Sequence, residues 1–99
     1  MSTLHVVSHS PFGDTRFDSC LRLLGAPDGL LLCGDGVYAL QAQSRPFKQL
    51  EARLSSLQLF VLTEDLQARG LSCPTWAQSV DYPGFVELSI RFDKVNTWL

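Results

Sequence analysis

The sequence predicts a small α/β layer fold in which helices flank a mostly parallel sheet. An unbroken apolar run at residues 30–33 and a nearly continuous one at residues 57–62, interrupted only by Gln58, are typical of strands buried on both faces, as in a parallel sheet covered by helices. Segments with helical spacing alternate with the predicted strands, which favours parallel crossover connections. We therefore expect a flavodoxin-like arrangement, although this pattern does not fix the order of the strands.

The composition indicates one domain, residues 1–99, that needs a partner. A chain of 99 residues can build a single modest core. Hydrophobic residues make up 45% of the chain and charged residues 18%, so we expect another subunit to cover part of an apolar surface. The net charge of -2 argues against broad attachment to nucleic acid, which needs a basic stripe.

The absence of a targeting signal and the spacing of the cysteines both indicate a reducing compartment. We see no signal peptide and no apolar run of transmembrane length, so we expect a cytoplasmic protein. Cys20, Cys33 and Cys73 are too far apart for a zinc or redox CxxC motif. Their odd number predicts free thiols.

The first strand is predicted at Thr3–Val7, and a helix follows with Asp14 or Thr15 as its cap. The buried stripe of that helix repeats at i, i+3, i+4 and i+7 and consists of Phe17, Cys20, Leu21 and Leu24.

The central stretch, residues 30–39, predicts a buried strand, a tight exit at Gly34 and a short helix capped by Asp35. Binding sites in open parallel sheets lie outside the carboxyl ends of the strands, which places residues 33–35 beside any site. The segment Gly34-Asp35-Gly36 also admits a second interpretation, a phosphate-binding turn.

Two helices are predicted in the middle of the chain, ahead of the last helix. One begins at residues 44–46, with Pro46 in its first turn. The next is capped by residues 63–65 and ends at Gly70, with Leu71 folding back. The buried face of the first of these helices is expected to contain Phe47, Leu50, Leu54 and Leu57.

The last helix is predicted to begin after Asp81, ahead of a closing edge strand at residues 95–98. Glu87 and Arg91 are placed to pair on its outer side. The apolar end at residues 98–99 must be tucked against the domain or a neighbour. The broad apolar face of the helix is expected to contain Phe85, Val86, Leu88, Ile90 and Phe92.

Known catalytic and nucleotide-binding motifs are absent. The chain contains no G-x-G-x-x-G, no G-x-x-x-x-G-K-[ST], no H-E-x-x-H and no G-x-S-x-G. We therefore expect no cofactor and no bound metal.

Cys20 is the candidate catalytic residue, with two interpretations. A cysteine near a helix N-terminus can have a lowered pKa and act as a nucleophile, but Cys20 also lies on an apolar stripe that would bury it. Cys33 is either core or a thiol at the strand's carboxyl end. His5 is expected to be structural, whereas His9 is a candidate base for a stand-alone thiol enzyme.

Several segments together resemble the TusB/DsrH family from about residue 4 to the last residue. They are Leu4-His5 followed by Ser10-Pro11, the turn at residues 34–39, and V-L-T-E-D-L-Q-A-R-G at residues 61–70. The segments V-D-Y and F-V near residues 80–86 and the final T-W-L complete the set. The resemblance implies a DsrE-like version of the predicted fold.

The resemblance also implies a function. Proteins of this family are the small subunits of sulfur-relay complexes, with TusC/DsrF-like and TusD/DsrE-like subunits in a dimer of heterotrimers. Such a complex passes persulfide sulfur to a TusE/DsrC-like acceptor, for 2-thiolation of tRNA wobble uridine or for dissimilatory sulfur oxidation. The main sulfur-carrying cysteine belongs to the TusD/DsrE-like partner, and neither direct tRNA binding nor a membrane is expected.

Cys20 falls where DsrH-like members carry a cysteine and typical Tus-branch members do not. The resemblance therefore makes Cys20 a candidate persulfide carrier beside the buried-thiol interpretation. Two functional hypotheses of other classes stay open. The chain could be a stand-alone thiol enzyme or a flavodoxin-like ligand-binding module.

Overall fold

The computed structural model describes residues 2–13, 15–25, 27–53 and 55–98, and in these ranges five strands form one parallel sheet. The strand order is β4-β3-β2-β1-β5. The strands are β1 (Thr3–Val7), β2 (Gly29–Leu32), β3 (Gln58–Leu62), β4 (Gln78–Val80) and β5 (Lys94–Trp98). The helices are α1 (Arg16–Leu23), α2 (Arg45–Glu51), α3 (Thr63–Ala68), α4 (Tyr82–Arg91) and a 3₁₀ helix (Gly34–Leu40).

The predicted α/β fold class is confirmed, and β2 is the middle strand of the sheet. The expected flavodoxin-like strand order is wrong: that order places β1 between β2 and β3, whereas here β3 and β4 continue outward from β2 and the chain returns to the free side of β1 only at β5. Leu30, Leu31 and Leu32 are fully buried because β1 and β3 flank β2 and helices cover both of its faces. The continuous apolar run therefore has the cause that the sequence suggested, burial on both sides of a parallel strand. Within the described ranges, no helix is long and apolar enough to cross a membrane.

The helices are distributed unevenly over the two faces of the sheet. The core on one face includes Phe17 of α1, Leu50 of α2 and Leu66 of α3, together with the 3₁₀ helix. The core on the opposite face receives a helical contribution only from α4 among the described residues, through Leu88 and the adjoining Phe92. The second face is therefore covered more thinly.

The predicted apolar face of α4 was partly wrong. Leu88 and Phe92 are buried, but Val86 is 58% exposed and Ile90 is 78% exposed. A single helix on a sheet turns one stripe inward, and these two residues lie outside that stripe. The predicted Glu87–Arg91 pair is not among the ion pairs of the described residues.

Two of the predicted helix starts are confirmed, and the side chain before each helix caps it. The Ser44 side chain accepts a hydrogen bond from the N–H of Phe47 at 3.3 Å, and Asp81 accepts one from the N–H of Gly84 at 2.8 Å. A proline follows each cap in the first turn, where its missing N–H costs no hydrogen bond. The α2 helix ends at Glu51, earlier than its predicted buried face required.

Other predicted caps differ or lie outside the described residues. Thr15 precedes α1 without a capping hydrogen bond from its side chain, and Asp14 and Leu54 are not described. Thr63 lies inside the first turn of α3, not before it. The predicted end of that helix is confirmed, since Gly70 has φ +64° and the N–H of Leu71 returns to the Leu66 carbonyl at 3.1 Å.

Candidate functional site

The carboxyl ends of β1 and β2 pack closely against each other through the turn that follows β2. The N–H of Cys33 donates to the carbonyl of Val7 at 3.1 Å. Gly34 has φ +51°, which confirms the predicted tight exit. A Cβ at Gly36 would lie 2.3 Å from the Val7 carbonyl oxygen, so this position has no room for a side chain. The backbone itself therefore fills the space between the carboxyl ends of β1 and β2.

A charged network lies beside this turn. The Asp65 carboxylate accepts a hydrogen bond from the N–H of Gly34 at 2.7 Å. The Arg69 guanidinium donates to Asp35 at 2.9 and 3.2 Å and to the Asp65 carbonyl at 3.1 Å, and lies 5.7 Å from the centre of the Tyr38 ring. These contacts clamp the 3₁₀ helix to α3.

The network corrects the predicted role of Asp35. The residue before the 3₁₀ helix is Cys33, and Asp35 lies inside the first turn, where its carboxylate binds Arg69. The alternative of a phosphate-binding turn is also unfavourable, because the carboxylates of Asp35 and Asp65 would repel an anion there. Sequence reasoning missed Arg69, although it lies in the A-R-G segment of the family resemblance.

Cys33 lies at the carboxyl end of β2 and is half-buried against the α4 side of the core. Burial raises the pKa of its thiol, and the negative charge of Asp65 raises it further. Cys33 is therefore a neutral thiol at neutral pH, which makes it a poor nucleophile.

Cys20 is fully buried in the core on the opposite face, beside the other apolar residues of α1. Burial raises the pKa of its thiol to about 12, with Arg53 acting against this rise and Asp28 adding to it. In this conformation the thiol meets no water and carries no charge. Whether Cys20 carries a persulfide stays a prediction.

The thiols are not assembled into one site. All three cysteines are free, as predicted, but Cys20 and Cys33 belong to cores on opposite faces of the sheet and Cys73 lies exposed in a loop. A catalytic base would form a hydrogen bond with the thiol that it activates. Within the described ranges, His9 forms no hydrogen bond with a thiol. Nor do those ranges hold a group of three or more potential metal ligands.

A hydrogen-bonded polar group surrounds His5, as expected of a structural histidine. Its Nδ1 accepts a hydrogen bond from the Trp98 indole N–H at 3.1 Å, and its Nε2 lies 3.4 Å from Asp28. Asp28 also accepts from the N–H of Thr3 and of Gly25. The group fastens β5 and the entry of β2 to β1, which confirms the predicted edge strand and the tucked Trp98. Leu99 lies outside the described residues.

Comparison with known proteins identifies relatives over nearly the whole chain. The model of the family described as DsrH like protein matches residues 9–95. A protein named TusB from Erwinia tasmaniensis is 41% identical over 98 residues, which covers 96% of this chain and 99% of the relative. Proteins named TusB from Yersinia pestis and Escherichia coli are each 37% identical over 97 residues, with the same coverage.

Two solved structures share the fold. The crystal structure of the ychN protein from E. coli aligns with a TM-score of 0.75 at 18% identity, covering 98% of this chain and 99% of that one. The structure of MTH1491 from Methanobacterium thermoautotrophicum aligns with a TM-score of 0.66 at 11% identity, covering 96% of both chains. At these identities the structures establish the architecture only. The family match and the closely similar TusB proteins establish membership: this chain belongs to the TusB/DsrH family.

Proposed function

We propose that this chain is a mainly structural subunit of a cytoplasmic sulfur-relay complex. Its partners are TusC/DsrF-like and TusD/DsrE-like subunits in a dimer of heterotrimers, and the complex delivers persulfide sulfur to a TusE/DsrC-like acceptor. Membership in the TusB/DsrH family supports a role in sulfur relay.

The observation that carries the structural role is the state of the thiols. A relay cysteine must attack the outer sulfur of a donor as a thiolate and then be attacked in turn. Cys20 is buried with a pKa of about 12, and the pKa of Cys33 is raised by burial and by Asp65. A subunit with such thiols fits a complex in which the partner supplies the sulfur-carrying cysteine.

The exposed apolar residues of α4 support a subunit role. Val86, Ile90 and Tyr82 are each more than half exposed on the face of the sheet that α4 covers alone. Beside them, β5 is an edge strand with Val95 exposed on the same face as Leu4. Contact with another subunit would remove this apolar surface from water.

We further propose the tRNA branch of the relay, 2-thiolation of wobble uridine, because the three relatives described above, at 37–41% identity, are named TusB. The alternative is a DsrH-like role in sulfur oxidation with Cys20 as a persulfide carrier. That role requires the complex to expose Cys20, because a fully buried thiol cannot reach a donor.

Co-expression with the two partner subunits tests the assembly. The tagged chain is purified and its mass measured by native mass spectrometry. We expect a stable species containing two copies of each subunit. Purification of this chain alone, with both partners present and folded, would contradict the proposal.

A further inference from the structure

A groove of about 460 Å³ lies between α1 and α2, on the helical layer opposite α4. It is separate from the charged network at the carboxyl edge of the sheet, since the two share no residue. It also lies on different elements from the exposed apolar residues of α4. Its lining residues are Asp18, Leu21, Arg22, Arg45, Gln49, Ala52 and Arg53.

Positive charge dominates the lining, with three arginines against one carboxylate. The carboxylate of Asp18 accepts a hydrogen bond from the Gln49 amide at 3.3 Å, and Arg53 donates to the carbonyl of Leu21. Arg22 and Arg45 are exposed and form no hydrogen bond or ion pair with any other residue that the structure describes. Two guanidinium groups are therefore left available for a ligand.

The surrounding surface is basic although the chain is acidic overall. Five of the eight basic residues lie on α1, on α2 or at Arg53 just after α2, and the acidic residues within these two helices are Asp18 and Glu51. The whole chain has a net charge of -2. Such a local concentration of one sign attracts a partner of opposite charge to one face.

The lining identifies which anion fits. The groove is much larger than a single oxyanion, and pockets of about 300–1,000 Å³ accommodate larger ligands. No aromatic side chain lines it, so it lacks the platform on which unpaired bases stack. Leu21 and Ala52 provide apolar surface between the charges. This mixture suits a polypeptide with carboxylate side chains.

We propose that the groove between α1 and α2 binds an acidic segment of a partner protein, whose carboxylates pair with the guanidinium groups of Arg22, Arg45 and Arg53. Guanidinium groups bind carboxylates through two parallel hydrogen bonds, which gives both affinity and orientation. The proposal goes beyond the sulfur-relay role and does not depend on it.

Titration of the isotope-labelled full chain with an N-acetylated hexaglutamate peptide, followed by amide chemical shifts, tests the groove. We expect saturable shift changes concentrated on α1 and α2. The double variant R22Q/R45Q should weaken binding by about tenfold or more, because it removes two charge-assisted contacts. Both residues are exposed and unpartnered in the described structure, so the variant should keep the native spectrum elsewhere.

The matched control is R91Q/K94Q, which removes the same charge from exposed residues outside the lining and away from α1 and α2. We expect it to change the affinity by less than about threefold, because screened charges outside the groove contribute little. Equal weakening by both variants, or no saturable change at α1 and α2, would overturn the proposal. So would tighter binding there of inorganic phosphate, which indicates a small-anion site, or of hexauridylate RNA, which indicates a nucleic-acid surface.

Discussion

At the scale of single residues, the three thiols differ in how much solvent they meet. Cys73 is exposed, Cys33 is half-buried and Cys20 is inaccessible. Burial also raises the pKa of Cys20 from 9.0 to about 12. Poor access and a low thiolate fraction therefore both reduce the reactivity of this thiol. The residue that the sequence marks as the candidate carrier is thus the least reactive of the three in this conformation.

Alkylation of the folded chain tests this difference. The raised pKa alone lowers the thiolate fraction of Cys20 about a thousandfold at neutral pH. With iodoacetamide at pH 7, followed by mass spectrometry of peptides, we expect Cys73 to react and Cys20 to stay unmodified until denaturant is added. Rapid modification of Cys20 in the folded chain would show that the thiol is accessible.

The pKa of Asp28 is lowered, whereas the pKa of Cys20 is raised. Burial opposes ionisation, but hydrogen bonds from the N–H groups of Gly25 and Thr3, together with His5, hold the pKa of Asp28 below its usual value. A carboxyl group with a lowered pKa in the folded state stabilises that state above its unfolded pKa of about 3.9, and this stabilisation is lost as the pH falls through the folded pKa.

Asp28→Asn should therefore lower the free energy of unfolding at pH 7 by about 1.5–3 kcal/mol, the range for hydrogen bonds to a charged group. The difference from the native chain should begin to shrink near pH 3.9, about the unfolded pKa, and should vanish below the lowered folded-state pKa, where the native carboxyl is also protonated. Urea denaturation at both pH values measures this. Glu51→Gln, an exposed charge at the end of α2, is the control, and an equal loss in both variants would contradict the role of the His5 group.

At the scale of elements, the turn after β2 depends on a glycine with no space for a side chain. Gly36→Ala places a Cβ 2.3 Å from the Val7 carbonyl, and backbone cannot yield as a flexible side chain can. We expect a loss of about 1–3 kcal/mol in the free energy of unfolding, as for other overpacked sites. Gly25→Ala, where the nearest atoms are 3.7 Å away, should change it by less than about 0.5 kcal/mol in the same urea experiment. Equal losses of unfolding free energy in the two variants would show that the close approach of position 36 to Val7 does not destabilise the fold.

The elements that could be predicted from the sequence are those with a local cause. The buried run at β2, the caps at Ser44 and Asp81 and the helix end at Gly70 each follow from a few neighbouring residues. The bond between Arg69 and Asp35 joins residues 34 positions apart, so no local pattern reveals it.

The exposed residues of α4 show a second limit. The sequence pattern placed Val86 and Ile90 on the apolar face of α4. It could not show that, among the described residues, α4 packs against this face of the sheet without a second helix beside it. Likewise, the apolar stripe of α1 allowed Cys20 to be buried, but only the structure shows how completely the core encloses it.

At the scale of the whole molecule, the apolar surface of α4 and the basic groove lie on opposite layers. The apolar residues of α4 lie on one face, and the arginine-lined groove lies between helices on the other. A subunit with two such different surfaces can contact two partners of different chemistry at once.

Replacing one exposed residue on each face distinguishes their roles. Ile90→Asp on α4 places a charge in the proposed subunit contact and should reduce recovery of the partners in co-purification by about tenfold or more, as for a central contact residue. Leu23→Asp on α1, which is 65% exposed in the free chain against 78% for Ile90, should leave recovery unchanged. Loss of the partners with Leu23→Asp alone would place the contact on the other face.

The most direct measurement is persulfide transfer to the assembled complex. The complex is incubated with a cysteine desulfurase and cysteine, and mass spectrometry identifies which thiols gain one sulfur, in the native complex and in the variant Cys20→Ala. A mainly structural subunit predicts sulfur on the partner's cysteine, none on Cys20, and undiminished transfer in the variant. Sulfur on Cys20 together with loss of transfer in Cys20→Ala would contradict the account and make this chain a carrier in the relay.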